Sequence, residues 1–277
     1  MGHIPLVSIC IPVFNCEKYI AEAIKSAINQ DYQNIEVIVI DNNSTDDTVN
    51  VVKQYIPMGV KLFENSSNIG MGGNWNSCIE KSTGEFLKIL PADDFLALNC
   101  ISEQVKAFDF QDENISIVAC ARNVVSEKGN FLLKRVNNSL KTKKVIAKED
   151  LINLVFCSAT NVIGEPGAVL LRRKQALACG IFNQRVGHVI DLDYWIRILD
   201  FGNLFYMGKA LVSFRVSQNS DSVKVIDRQA SDVLALLQHL YKSNKNITFH
   251  LYLRARIKLQ INVFLKFWFY KIFVKVG

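Results

Sequence analysis

Two adjacent carboxylates, Asp93 and Asp94, close a short, mostly apolar run, Phe86-Leu87-Lys88-Ile89-Leu90-Pro91, that begins after Gly84. The run predicts a buried parallel strand. Acids at the carboxyl end of such a strand sit where open α/β sheets bind ligands. Side-by-side carboxylates repel each other, and a divalent cation relieves that repulsion while bridging to a phosphate. The same pair also suits the cap of a following helix, so taken alone it leaves a metal site and a cap both open. Polar clusters follow two other apolar runs, at Asn15 and at Asp41-Asn42-Asn43-Ser44-Thr45-Asp46-Asp47. Gly70, Gly72 and Gly73 either let backbone approach a phosphate or make a turn. The four histidines, His3, His188, His239 and His250, are widely spaced, and no Ser/His/Asp grouping forms.

The elements that must hold these groups alternate. Residues 6–15 read as a buried strand stopped by Pro12 and Asn15, and residues 17–30 carry Tyr19-Ile20, Ala23-Ile24 and Ala27-Ile28 at helical spacing. A second strand spans 34–40, and its polar loop feeds a helix through Tyr55 with Ser44 or Thr45 as N-cap. A third strand covers 60–64, and the Gly-rich segment opens a helix through Lys81. This rhythm predicts βαβ crossovers and a parallel sheet, with the loops at Asn15, Asp41 and Asp93 on one edge. That edge makes a nucleotide crevice. No GxGxxG follows the first strand and no GxxxxGK[ST] occurs, which argues against a dinucleotide site and a P-loop. Further on, 116–122 and 211–216 read as strands and 130–144 as a mobile, basic surface segment. Residues 167–173 read as a strand ending in Arg172 and Arg173, cations that are either solvated or face an acceptor diphosphate.

The 277 residues, 49% hydrophobic and 21% charged, suit one large domain or a domain with an appendage and exclude a disordered chain. Seven scattered cysteines without a CxxC pair point to a reduced compartment, with neither a zinc site nor a disulfide framework. No signal peptide is visible, and no window of about eighteen residues is apolar enough to span a bilayer. The net charge of +6 is concentrated in residues 247–277, which hold Arg254, Arg256, Lys258, Lys266, Lys271 and Lys275 and no acid. A charge so confined argues for a local partner and against a nucleic acid. The run Phe264-Leu265-Lys266-Phe267-Trp268-Phe269-Tyr270 is too aromatic for a solvated surface and too interrupted by lysine to cross a membrane. Either it packs as a helix on the main domain or, the preferred reading, it touches anionic lipid. Its cations share no clean face of a helical wheel.

Five segments in order resemble the family 2 inverting glycosyltransferases with a GT-A fold, over about residues 6–215. They are Val7-Ser8-Ile9-Cys10-Ile11-Pro12-Val13-Phe14-Asn15, Glu36 to Asp46, Asn68-Ile69-Gly70 with Asn74-Trp75-Asn76, Gly84 to Asp94, and Asp191-Leu192-Asp193-Tyr194-Trp195-Ile196-Arg197. The Asn-Trp-Asn variant and Gly164-Glu165-Pro166-Gly167 resemble the branch that builds bacterial surface polysaccharides such as O-antigen or capsule. The resemblance implies an α/β fold, a Rossmann-like mostly parallel sheet flanked by helices. It implies a catalytic domain over 1–216, its nucleotide-sugar half about 1–95 and its acceptor half about 96–216, with a helical, basic-aromatic extension over 217–277. It also implies a donor pocket lined by Pro12, Phe14, Asn15 and Glu17, with Asp41 accepting a hydrogen bond from the base, uracil above all, and Asn43 and Ser44 beside it. Asn68, Gly70 and Asn76 fall at the family's positions before and within the third crossover helix. Asp93 and Asp94 are implied as holders of ribose and of Mg2+ or Mn2+, and Asp191 as the general base.

Asp193 is second to Asp191 for that role, and is read as the cap of the helix carrying Trp195 and Arg197. Ile190, where relatives often carry Glu, would raise the pKa of Asp191 by desolvation. His188 is read as a loop residue or an acceptor contact, and Arg215 as a partner of the donor diphosphate. The implied activity is transfer of a sugar from a UDP-sugar or similar donor to a glycan or polyprenyl-diphosphate-linked acceptor. The implied place is the inner face of the cytoplasmic membrane. Pro91 stands where many relatives carry an acid, which raises the alternative of a catalytically silent nucleotide-sugar binder or scaffold. A nucleotidyltransferase would show a Gly-rich, basic loop after the first strand, and none is present.

Overall fold

A computed structural model describes residues 3–109, 114–143, 145–216 and 226–273. Strands β1 (Val7–Val13), β2 (Ile35–Asp41), β3 (Lys61–Glu64) and β4 (Phe86–Ile89) form a parallel half-sheet in the order β3-β2-β1-β4. β1 is buried throughout, and its side chains alternate between two cores: Val7, Ile9, Ile11 and Val13 on one face, Cys10 on the other. Helices α1 (Ile20–Ile28), α2 (Thr48–Lys53) and α3 (Gly70–Lys81) make the crossovers. α1 buries Ile20, Ala23, Ile24 and Ala27, the stripe expected of a helix laid on a sheet. Because the chain moves outward from β1 to β3 and then returns to β4 on the other side of β1, strand order reverses between β1 and β4. Loops part there and leave a crevice at the strands' carboxyl ends.

The second half runs through β5 (Phe95–Leu96), α4 (Cys100–Asp109), β6 (Ile115–Val125), β7 (Phe131–Arg135), α5 (Asn138–Lys143), β8 (Val145–Ile146) and α6 (Lys148–Ser158). It continues with β9 (Val169–Arg172), α7 (Arg173–Cys179), α8 (Ile190–Ile198) and β10 (Asn203–Arg215). β9 lies antiparallel between β4 and β6, and β6 pairs parallel with β10. The long strands β1, β2, β4, β6 and β10 therefore run one way. Helices α9 (Ile226–Ser243) and α10 (Phe249–Phe273) pack on one face of the sheet. Their Leu236, Leu237, Leu240, Ala255 and Leu259 share a core with Trp75, Phe156 and Trp195.

Three local expectations are corrected. The 130–144 stretch is a strand and a helix, because β7 pairs along β6. The N-cap position of α2 is Asp47, not Ser44 or Thr45, whose polar groups turn back toward Asn15. Asp193 lies inside α8, one turn before Arg197, and pairs with it at 2.9 Å instead of capping the helix.

Candidate active site

The loops after β1 and β2 are laced together over the crevice. Asn15, in a left-handed conformation (φ 48°), accepts from Thr45 N–H at 2.8 Å through Oδ1, and its own N–H donates to Ser44 Oγ at 2.9 Å. Glu17 accepts from Asp47 N–H, and Asp46 accepts from Glu17 N–H. Pro12 is buried in β1, while Phe14, Asn15, Glu17 and Asn43 are exposed at the rim. Asp41 ends β2 almost fully buried. Its Oδ2 accepts from Ser44 N–H at 2.8 Å, and its Oδ1 has no partner within the protein. A buried carboxylate oxygen without a donor is costly unless a ligand supplies one.

Beneath this rim lies an asparagine lattice of which only Asn68 was expected as a site residue; Asn42 and Asn74 stand within segments noted in the sequence, and Asn65 in none. Asn42 Nδ2 donates to Asn68 Oδ1 at 2.9 Å, and Asn42 Oδ1 accepts from Asn65 Nδ2 and Ile69 N–H. Asn74 Nδ2 donates to Ile40 O at 3.0 Å. The lattice fixes the turn that opens α3. Gly70 (φ 79°) and Gly72 then admit a neighbouring segment: a Cβ on Gly72 would stand 2.5 Å from Ile190 Cδ1 and 2.6 Å from Gln184 Cγ. So the start of α8, and Asp191 with it, seats directly against the glycine-rich turn. Asn76 does not face the crevice. Its amide is taken at both ends by Phe182, accepting from the N–H at 2.7 Å and donating to the carbonyl at 3.3 Å.

The acid pair sits just past β4. Asp93 is half-buried, and Asp94 is 1% exposed. Asp94 Oδ1 accepts from Arg215 N–H at 2.9 Å, and its Oδ2 has no partner within the protein. Burial, and then the charge of Asp93, hold the Asp94 carboxyl well above the usual range. Among the described residues no group of three or more His, Cys, Asp or Glu side chains gathers to hold a metal. A hard cation that arrives with a nucleotide needs only one or two protein carboxylates, since phosphate and water complete its shell. The pair, with one orphaned oxygen, fits that smaller demand.

Arg215 was expected to reach the donor diphosphate, and its surroundings rule that out. Its guanidinium is buried, donating to Asp93 O at 2.9 Å and Glu127 O at 2.8 Å and pairing with Glu22. The rings of Tyr19 and Phe95 lie 4.8 and 5.5 Å from it. It is a clamp behind the acid pair. Arg172 and Arg173 likewise do not face the crevice. β9 runs antiparallel, so its end, with Arg172 opposite Phe86, lies at the amino-terminal edge of β4. There Arg172 rests 5.3 and 5.1 Å from the Phe86 and Phe108 ring centres, and Arg173 donates to Ser82 Oγ at 2.9 Å.

Asp191 opens α8, half-buried. Its Oδ2 accepts from Asn161 Nδ2 at 2.7 Å and its Oδ1 from Leu192 N–H at 2.7 Å. Burial pushes its pKa up to about 7 against those two hydrogen bonds, and the charge of Glu165 adds to the rise. Glu165 is ion-paired with Arg122. Gly164 (φ 122°) lies over that guanidinium, where a Cβ would come within 2.7 Å of Arg122 Nη1. Three residues on, a Cβ at Gly167 would stand 3.4 Å from Pro91 Cδ and 3.6 Å from Asp94 Oδ2. The segment 164–168 thus spans from the surroundings of Asp191 to the acid pair. Gln104 holds its far end, accepting from buried Lys88 Nζ at 2.7 Å and donating to Ala168 O at 3.0 Å.

The turn before Asp191 is tied to the C-terminal helices. Asp232 of α9 accepts from His188 N–H at 2.8 Å, and His188 Nδ1 lies 2.9 Å from the same oxygen. A Cβ on Gly187 (φ 66°) would stand 2.3 Å from that oxygen. His188 is therefore a strut. Asn161, which touches Asp191, and Arg122 and Asp232, which hold its surroundings, are residues that local sequence left unmarked, while Glu165 stands in the Gly164 to Gly167 segment already singled out.

Residues 8–169, more than half of the chain, match the family model described as Glycosyl transferase family 2. The chain belongs to this family. The uncharacterized protein MT1568 of Mycobacterium tuberculosis is 28% identical over 203 residues, which are 70% of this chain and 62% of that protein. Chondroitin synthase of Escherichia coli is 25% identical over 230 residues, 83% of this chain and 32% of the synthase. The chain thus spans about three fifths of the first of these relatives and a third of the second. Among solved structures, S. aureus TarS 1-349 in complex with UDP-GlcNAc superposes with a TM-score of 0.67 at 16% identity, covering 94% of this chain and 73% of that one. Mannosyltransferase PcManGT from Pyrobaculum calidifontis, in complex with GDP-Man and Mn2+, gives 0.68 at 18%, covering 95% and 70%. At such identity the likeness establishes the fold, the GT-A arrangement of the family.

Proposed function

We propose that this chain transfers a sugar, with inversion, from a nucleotide-sugar donor to a growing or polyprenyl-diphosphate-linked glycan in bacterial surface-polysaccharide synthesis. The observation that carries the reading is Asp191. A carboxylate with a pKa of about 7 in a half-open setting suits proton abstraction from an acceptor hydroxyl near neutral pH. A UDP-sugar is the first donor to test, because the partnerless Oδ1 of Asp41 leaves a buried acceptor that suits the N–H edge of uracil. TarS was solved with UDP-GlcNAc and PcManGT with GDP-Man and Mn2+, which supports a donor of this class.

The roles follow from the contacts. Asp41 holds the base, and the laced loops at Asn15, Asn43 and Ser44 form the pocket rim with Phe14 and Glu17. Asp93, with Asp94 beside it, would hold Mg2+ or Mn2+, whose charge would neutralise the diphosphate leaving group. Asp191 takes the acceptor proton on the opposite side, steadied by Asn161. Gly164 to Ala168 keep the two ends in register. Among the described residues no helix is long and apolar enough to cross a membrane. We place the chain at the inner face of the cytoplasmic membrane, reached through its basic, aromatic end.

The second reading is a nucleotide-sugar binder without turnover, favoured by Pro91 and by the two-carboxylate metal site. One assay separates the two: release of nucleoside diphosphate with Mn2+ and an acceptor extract, for wild type, Asp93→Asn and Asp191→Asn. Catalysis predicts release by wild type only. Donor binding, seen as a thermal shift, with no release by any of the three supports the silent binder.

A further inference from the structure

Helix α10 carries apolar side chains on two opposite faces. The inner face is committed: Ala255 and Leu259 are buried in the core, and Leu251, Tyr252 and Val263 pack against it. Asn262 Nδ2 locks that rotation by donating to Ser158 O at the end of α6, at 2.7 Å. Tyr252 also stacks on Tyr241 of α9, ring centres 4.7 Å apart. With the inner face pinned, the outer face is determined. It shows Phe249, Leu253, Ile257, Ile261, Phe264 and Trp268, all exposed, Phe264 by 62%. At about 100° per residue these six lie within one outward stripe, roughly 30 Å long. Arg256 lies along one edge of the stripe and Arg254 and Lys258 along the other, all three exposed. Among the described residues Phe249, Leu253, Ile257, Ile261 and Phe264 are left open to solvent.

We propose that the outer face of α10 is a seat for an anionic lipid surface, with the helix lying in the plane of the interface. An exposed apolar stripe of this length marks an interaction site. Its edges choose the occupant. Two copies packed face to face would bring cations against cations along both edges, whereas acidic headgroups complement them and the apolar side chains enter the acyl boundary. The inner face carries Lys266, which donates to Gln229 and feels the charge of Glu165. The lipid seat deepens the membrane part of the reading above and rests on it, but is independent of whether sugar is transferred.

The test uses the full chain and vesicles of phosphatidylglycerol with phosphatidylcholine. Trp75 and Trp195 are buried and Trp268 is 45% exposed, so a blue shift of tryptophan emission on adding vesicles reports this face, and Trp268→Phe abolishes the shift while co-sedimentation persists. Expected is co-sedimentation at least about tenfold stronger than with phosphatidylcholine alone, and weakened by salt. Ile257→Ser with Phe264→Ser loses vesicle binding with its melting temperature kept. Arg254→Gln with Lys258→Gln loses the preference for acidic lipid, again with the melting temperature kept. The proposal is overturned if the wild type ignores acidic vesicles, if the serine variant binds as well as wild type, or if the chain dimerises through this face without lipid. Donor turnover measured on the same samples keeps a failure here distinct from a failure of the glycosyl-transfer reading.

Discussion

Replacing Asn161 by Ala tests Asp191 as a base with a measurable sign. Asn161 Nδ2 donates at 2.7 Å to Asp191 Oδ2, a bond that favours the charged carboxylate. Hydrogen bonds to charged groups contribute about 1.5–3 kcal/mol, and one pKa unit is about 1.4 kcal/mol. Asn161→Ala should therefore lift the Asp191 pKa from about 7 by roughly one to two units. At pH 7 the ionised fraction then falls from about a half to between a tenth and a hundredth, a rate loss of about 5- to 50-fold. Raising the pH past the new pKa restores the rate. The assay is nucleoside diphosphate release from pH 5.5 to 10 for both proteins. A wild-type rate that does not climb between pH 6 and 8 would refute the reasoning, as would an Asn161→Ala defect equal at every pH. Stability supplies a cross-check. The folded pKa is raised, so the contribution of Asp191 to stability is full below its unfolded pKa near 4 and is lost as pH rises through about 7. Asp191→Asn should accordingly melt higher than wild type at pH 8, by up to about 4 kcal/mol of relieved cost.

Three further outcomes are expected. Arg215→Lys loses the fork that joins Asp93 O, Glu127 O and Glu22. It should cost about 1–3 kcal/mol in denaturant unfolding, the range for leaving buried hydrogen-bonding groups without their partner. Asp41→Asn should weaken UDP binding about 10- to 100-fold by calorimetry, with an unchanged melting temperature in the absence of nucleotide. An undiminished affinity would remove Asp41 from the donor pocket. Asp232→Ala frees the turn before Asp191 and should lower kcat about tenfold with the donor KM unchanged, and Asp232→Asn should recover part of the loss.

What local sequence determines here is the sheet and its working edge. Val7 to Val13, Ile35 to Asp41 and Phe86 to Ile89 are runs with one reading, because a strand buried on both faces must be apolar nearly throughout. Their polar ends mark the crevice for the same reason: such groups cannot continue into the core. Asp41, Asp93 and Asp94 are legible as the acids at the ends of these strands, whereas Asp191, which opens α8, was marked only by the family resemblance.

The cations were not legible. Whether Arg172 faces the crevice depends on the direction of β9, and a strand's direction is set by its partners, not its composition. Arg215 looked available because burial is not written into a side chain. Asn161 reaches Asp191, and Asp232 the turn before it, from about thirty and forty positions away, with no period or motif to link them. Helix α10 shows the limit most clearly. Its two apolar faces lie opposite one another, so on a wheel they cancel and the cations fall on no single face. Only packing on α6 and α9 decides which face is core, and thereby leaves the other, edged by Arg254, Arg256 and Lys258, facing outward.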